Sequence, residues 1–132
     1  MSYDIIGVSS YSLFFTDTIK LINKIKNKNN IIIVGGHHAT LCRGKLLEEF
    51  KNIDYCLMGF GEYSFCELIK NIDSPDKYRI NGLCYRKGDS IIENEEDYGD
   101  FVLDNIPFPD RNNITVDFNE NKTIDISKTI LN

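Results

Sequence analysis

Three short clusters of small and polar residues punctuate the first half of the chain: Ser9-Ser10-Tyr11-Ser12, Gly35-Gly36-His37-His38 and Gly59-Phe60-Gly61-Glu62. They hold hydroxyls, imidazoles, a carboxylate and glycines. The chemistries open to such groups are metal ligation, nucleophilic catalysis and ligand binding against bare backbone. Metal ligation is disfavoured. Adjacent loop residues such as His37 and His38 point in different directions, and no Asp, Glu or Cys stands near them at a spacing like H-E-x-x-H. A Cys–His nucleophile pair using Cys42 or Cys66 has as little behind it. Cys66 falls on the apolar stripe of a helix, and nothing marks either thiol as activated. The roles left for the histidines are a ligand-facing imidazole and a packed, hydrogen-bonded one. Binding is the chemistry that remains, because glycine lets a large flat or phosphorylated ligand approach the main chain closely.

Each cluster also has a plainer meaning. Gly35-Gly36 could be a strand-to-loop turn. Ser9, Ser10 and Ser12 could cap the next helix. Glu62 could be a first-turn acid favourable to the helix dipole. "GFGE" lacks the third glycine of a dinucleotide fingerprint and follows the third strand, so a nicotinamide or flavin site is weakly supported.

The elements that must position these clusters follow from hydrophobic period. "DIIGVS" (4–9) is a short apolar run with a β-branched bias, as in a buried strand. "FTDTIKLINKIKNK" carries Ile19, Ile22 and Ile25 at helical spacing, with Thr16 and Asp17 as N-cap candidates. "IIIV" is a second strand, wholly apolar and so covered on both faces. "RGKLLEEFK" reads as a short helix with Leu46, Leu47 and Phe50 inward. "DYCLMG" is a third strand, and "EYSFCELIKNI" a third helix with Phe65, Leu68, Ile69 and Ile72 inward. Strand and helix alternate three times, the signature of a parallel sheet with right-handed crossovers. In such sheets ligands sit beyond the carboxyl ends of the strands, where all three clusters fall. After Pro75 the pattern changes. "INGLCYRKGDSIIEN" is a hairpin around Lys87-Gly88-Asp89. An acidic loop runs from Glu93 to Asp104, "IPFPDRN" is an extended connector, and "ITVDFNENKTIDIS" suggests a second hairpin.

Bulk properties bound the function. The 132 residues suffice for one small core. Hydrophobic residues are 42% and charged residues 27%, with a net charge of −5, so nucleic acid is not the expected partner. No apolar run approaches the roughly 20 residues of a membrane span, and "MSYDII" is no secretory signal. The four cysteines never form C-x-x-C, so buried thiols in a reducing cytoplasm are the expectation rather than a zinc or disulfide framework.

Taken in order, "YDIIGVSSYSLFFTDTIKLINKIK", "IIIVGGHHAT", "DYCLMGFGEYSFCELI", "INGLCYRKGDSII" and "IPFPDRN" resemble cobalamin-dependent radical S-adenosylmethionine enzymes. The resemblance covers about residues 3–112. It matches the later part of their cobalamin-binding domain and the connector toward their radical core. It implies an α/β, Rossmann-like, flavodoxin-type parallel sheet, here partial, with three strands, flanking helices and β-hairpins following. It further implies cobalamin across the carboxyl rim, with Ser9, Ser10 and Tyr11 in the loop that meets the nucleotide tail. Gly35 and Gly36 match the pair that passes the tail close to the backbone. His38 takes the recurrent histidine place of the family's G-G-x-H, and Gly59, Gly61 and Glu62 match the third rim loop. No residue is implied to be catalytic or to ligate a metal.

The chain departs from that pattern at both ends. No D-x-H-x-x-G, the motif of the cobalt-ligating histidine in other cobalamin proteins, occurs. The first two strands of the family domain lie before Met1 in the comparison. No C-x-x-x-C-x-x-C follows, so S-adenosylmethionine and a 4Fe-4S cluster belong only to the absent part of a parent enzyme. In a 2-1-3-4-5 sheet the strand 4–9 then becomes an exposed edge, and self-association or a chain supplying the missing strands is the expectation. The divisions are 1–74, partial cobalamin-binding domain; 75–98, appended hairpin; and 99–132, connector and possible second hairpin. The function implied is corrinoid binding within a radical enzyme, commonly for methyl transfer, without catalysis by this chain alone. The alternative is a degenerate Rossmann-like interaction module without cofactor. A small nucleotide-binding or flavodoxin-like protein ranks third, for want of a phosphate loop.

Overall fold

A computed structural model of the chain describes residues 4–96 and 106–107, and the backbone of 115–117 and 123–125. The chain divides into two units, Met1–Asp100 and Phe101–Asn132.

The first unit is built on a five-stranded sheet in the order β1 (Asp4–Ser9), β2 (Asn30–Gly35), β3 (Tyr55–Leu57), β4 (Leu83–Lys87), β5 (Ser90–Glu93). β1 to β3 are parallel, as alternation with helices requires. β4 lies antiparallel to β3, through Tyr55↔Tyr85, Cys56↔Cys84 and Leu57↔Leu83, and β5 antiparallel to β4. The hairpin therefore extends the α/β sheet and makes it mixed. Its turn is two residues, with Gly88 at φ +60° beside Asp89, the positive φ that a tight hairpin turn needs. β1 and β2 pair in level register from Asp4↔Asn30 to Ser9↔Gly35, so the loops that follow them start side by side.

The all-apolar reading of β2 has a direct cause. Ile32 and Val34 face one layer, with Ile22, Leu47 and Ile53. Ile33 faces the other, with Leu57, Leu68, Leu83 and Tyr85. Successive side chains point to opposite faces, and both faces are covered by helices. Each fully buried Ile or Leu here contributes roughly 1.5–3 kcal/mol.

The helices are α1 (Phe15–Ile25), α2 (His37–Cys42), α3 (Lys45–Glu49) and α4 (Gly61–Lys70). α1 follows a 3-10 turn at Ser12–Phe14, which puts Phe14 at the N-cap and leaves Thr16 and Asp17 inside the first turn. Asp17 there ion-pairs Lys20 at 2.9 Å. α2 is a helix where the sequence read as a loop. Of the stripe expected on α4, Phe65, Leu68 and Ile72 pack into the second layer, and Ile69 does not. Ser64 and Leu68 are buried, while Ile69 and Cys66 are exposed. Position 66 lies two residues from both 64 and 68, which is the far side of a 3.6-residue turn. Ser64 is tolerated inside because its Oγ donates to Asn81 O at 2.9 Å.

At the amino ends of the parallel strands, Asp54 accepts from Ile32 N–H at 2.7 Å and from Lys26 Nζ at 2.5 Å, and Lys26 also donates to Asn30 O. Replacing Asp54 by alanine orphans the Ile32 N–H and leaves Lys26 with Asn30 O alone, and should cost about 1–3 kcal/mol, read as a lower urea midpoint.

In the second unit β6 (Thr115–Asp117) pairs antiparallel with β7 (Thr123–Asp125), as expected for "ITVDFNENKTIDIS". The acidic loop and the "IPFPDRN" connector lie largely outside the described residues. Among the described residues no helix is long and apolar enough to cross a membrane.

Candidate functional site

The carboxyl ends of β1, β2 and β3 open onto one cleft of about 850 Å³, within the usual range for small-molecule sites. Residues within β1, β2, β3 and α4 that line it are Gly7, Val8, Ile33, Leu57 and Phe65. Its rim is Ser9, Tyr11, Gly35, Gly36, His37, Thr40, Gly59, Phe60, Gly61 and Glu62. Ile33 and Leu57 are its buried apolar residues, and Tyr11, His37, Phe60 and Glu62 are exposed around it.

The rim is tied together by hydrogen bonds between its loops. Ser10 is fully buried: its N–H and Oγ both donate to Gly35 O, at 2.8 and 2.9 Å, and its carbonyl accepts from His38 N–H at 3.1 Å. Gly36 is the joint between β2 and α2. Its φ of +89° is open to glycine and strained for other residues, and a Cβ there would stand 2.8 Å from Ser9 Oγ and 2.9 Å from Ser10 N and O. Thr40, one turn on, donates from Oγ1 to Gly36 O and accepts from Gly59 N–H at 2.9 Å, bridging the second loop to the third. Gly7, mid-strand in β1, makes room for the Phe65 ring, which a Cβ would meet at 2.9 Å.

Of the residues singled out from sequence, Ser9, Tyr11, Gly35, Gly36, Gly59, Gly61 and Glu62 lie around the cleft, and Ser10 and His38 do not line it. Ser10 is the buried tie just described. His38 turns away: its ring stacks on Phe15 with centroids 3.9 Å apart, Nδ1 lies 2.9 Å from Ser12 Oγ, and Nε2 lies 3.4 Å from Cys42 Sγ. The exposed imidazole at the cleft is His37, tilted against Tyr11 with ring centroids 5.6 Å apart. Thr40, Gly7 and Phe65 escaped the sequence reading. A lone glycine inside a strand was the available signal for Gly7. Thr40 had none once α2 was read as a loop.

Among the described residues no three His, Cys, Asp or Glu side chains are grouped to hold a metal ion. Cys56 and Cys84 are fully buried and opposite one another. The hydrogen bond with Cys84 and, next, burial push the Cys56 thiol far above its ordinary range, so it stays protonated.

Comparison with known proteins bears on this cleft directly. The family model described as "B12 binding domain" matches residues 1–69, just over half of the chain and the stretch that holds every rim loop. The chain belongs to the B12-binding domain family. It is also 29% identical over 91 residues to a Pyrococcus horikoshii protein named as an uncharacterized methyltransferase. That match takes in 67% of this chain and 20% of the relative, so the chain spans about a fifth of the relative's length.

The side chains of this B12-binding domain fit the group its family name implies. A Cβ on Gly61 would meet nothing within 4 Å, and one on Gly35 would meet only Leu57 O at 3.7 Å, so both glycines face open space. An apolar slot with polar groups around it suits a flat heterocycle carried on a phosphorylated sugar arm. Such an arm is what a cobalamin presents.

Proposed function

We propose that this chain binds a corrinoid through the cleft at the carboxyl rim of β1–β3. The observation that carries the reading is the convergence of three glycine-bearing loops on one apolar slot, inside the stretch matched by the family. Gly35 and Gly61 let the cofactor's arm approach the main chain, while Gly36 lets the loop after β1 pack against the end of β2. Ile33, Leu57 and Phe65 floor the slot, Tyr11 and His37 wall it, and Ser9 and Glu62 supply polar partners at the rim. A bound cobalamin supplies cobalt–carbon bond chemistry, while the protein's part is to hold and orient it.

The wider reading is that this domain serves a longer enzyme using S-adenosylmethionine and an iron–sulfur cluster, commonly for methyl transfer. The five-motif order in the sequence and the methyltransferase name of the relative support it. β1 has one neighbour among the described strands, so its free edge is offered to a second strand, from another copy or a partner.

Hydroxocobalamin titration tests the binding. The corrinoid's visible bands should shift, and corrinoid should co-elute with the protein in gel filtration. In Gly35→Val the strand conformation is kept but the side chain enters the slot. That protein should keep its circular dichroism and bind at least about tenfold more weakly, a loss of ~1.4 kcal/mol or more. Absence of corrinoid retention by the unaltered chain at high micromolar protein would remove the reading and leave a cofactor-free interaction module.

A further inference from the structure

The half-buried thiol of Cys42 faces the imidazole of His38, with Nε2 3.4 Å from Sγ. The ring is held on its other sides as well, by Ser12 Oγ at 2.9 Å from Nδ1 and by stacking on Phe15. Protonated on Nδ1, it donates to Ser12 and presents the Nε2 lone pair to the thiol. Neither Cys42 nor His38 lines the cleft. The pairing exists because α2 begins at His37, which places residues 38 and 42 one turn apart on one face.

The four thiols of the chain stand in three environments. Cys56 and Cys84 are fully buried. Cys66 is exposed on α4, whereas both histidines belong to α2. Cys42 is less exposed than Cys66 but has a base in contact. Accessibility and contact with a base therefore favour different cysteines, which makes the two separable by experiment.

We propose that Cys42 is a covalent modification site for soft carbon electrophiles, with His38 as its base. The thiol proton passes to His38 Nε2 while the sulfur lone pair attacks the electrophilic carbon. The S–C bond forms, and the bond to the leaving group breaks. That group departs with its electron pair, with no change of redox state. Ser12 is a positioning residue, since its contact with Nδ1 holds the ring plane. His38 also ties α2 to the loop after β1 through its own N–H and through Ser12, so a group added at Cys42 lands against that tie.

The test uses the whole chain and limiting iodoacetamide, with each cysteine's alkylation rate read by peptide mass spectrometry between pH 6 and 9. In the folded protein at pH 7, Cys42 should react at least about tenfold faster than Cys66, a modest share of what a positioned base supplies. In urea the two rates should converge. His38→Gln should bring Cys42 to or below the rate of Cys66. Faster labelling of Cys66 in the folded wild type would overturn the proposal. So would an unchanged Cys42 rate and pH profile in His38→Gln with native circular dichroism. The first comparison needs no variant, so it decides the matter even if His38→Gln misfolds.

Discussion

Exchanging Gly36 for alanine should destabilise the chain by about 3 kcal/mol, against less than about 1 kcal/mol for the same change at Gly35. The two glycines are neighbours, and the added methyl is identical. What differs is backbone and space. At Gly36 the φ of +89° strains an L-residue by about 1–3 kcal/mol. The new Cβ also presses on Ser9 Oγ and on the backbone N and O of Ser10. Backbone atoms cannot rotate aside as a side chain can, so relief requires moving the loop that Ser10 pins to Gly35. At Gly35 the nearest atom is Leu57 O at 3.7 Å, an ordinary contact. Urea unfolding followed by far-ultraviolet circular dichroism gives both values, with the slope held constant as the check on a common two-state transition. Equal losses at the two positions would show that Gly36 is not the strained joint. Because Gly36 sits between two of the three rim loops, whatever fraction of Gly36→Ala stays folded should also retain corrinoid less well than Gly35→Ala.

Arg86→Ala should cost a similar amount, about 3 kcal/mol, and should leave the cleft intact. The guanidinium of Arg86, on β4, donates to Ile53 O and Leu47 O at 2.6 Å each and to Phe50 O at 3.1 Å. It thereby closes the carboxyl end of α3 and the turn into β3 with a single side chain. Its Nε finds no acceptor among the described residues, which trims the net gain. Hydrogen bonds from a charged donor are worth about 1.5–3 kcal/mol each and are not additive, and truncation also strands the carbonyls. Lysine should recover less than half of the loss, since a compact ammonium cannot span three carbonyls as the fork does. None of the residues bound by Arg86 lines the cleft. Hydroxocobalamin retention per folded molecule should therefore be unchanged, whereas a parallel loss would mean that the two ends of the sheet are coupled.

How far the sequence could be read follows from which signals are local. β2 and β3 were legible because an unbroken apolar run answers to burial on both faces, and Ile32, Ile33 and Val34 are indeed buried on alternating sides. β1 is a strand as its β-branched run suggests, but at the sheet's edge none of its residues is buried. The hairpin turn was legible because Gly88-Asp89 can adopt it. The place of that hairpin was not legible, since pairing β4 against β3 is a choice among edges that no residue in β4 announces. α2 was invisible because "HHATLC" has too short an apolar period and follows a glycine. A shift of one residue on a helix turns a side chain by about 100°, so the imidazole at the cleft is His37 while His38 faces Phe15 and Cys42. Cys66 is exposed because the buried face of α4 centres on Ser64 and Leu68, two residues away on either side. The glycines fared better because their use rests on the main chain, whose direction the strand ends already determine.

The direction of each strand also settles where the chain goes next. Three parallel strands end at the cleft rim, and each antiparallel strand added after them reverses the exit. β4 starts at that rim and β5 returns to it, as the bonds from Met58 N–H to Gly82 O and from Gly82 N–H to Glu95 O record. The count of reversals is even, so residues 94–96 leave the sheet on the side of the cleft. A variant of this fold with one strand fewer would send its chain out of the opposite end, however well it preserved the cleft itself. Parity of the hairpin is therefore the property that brings residues 94–96 back to the cleft's rim.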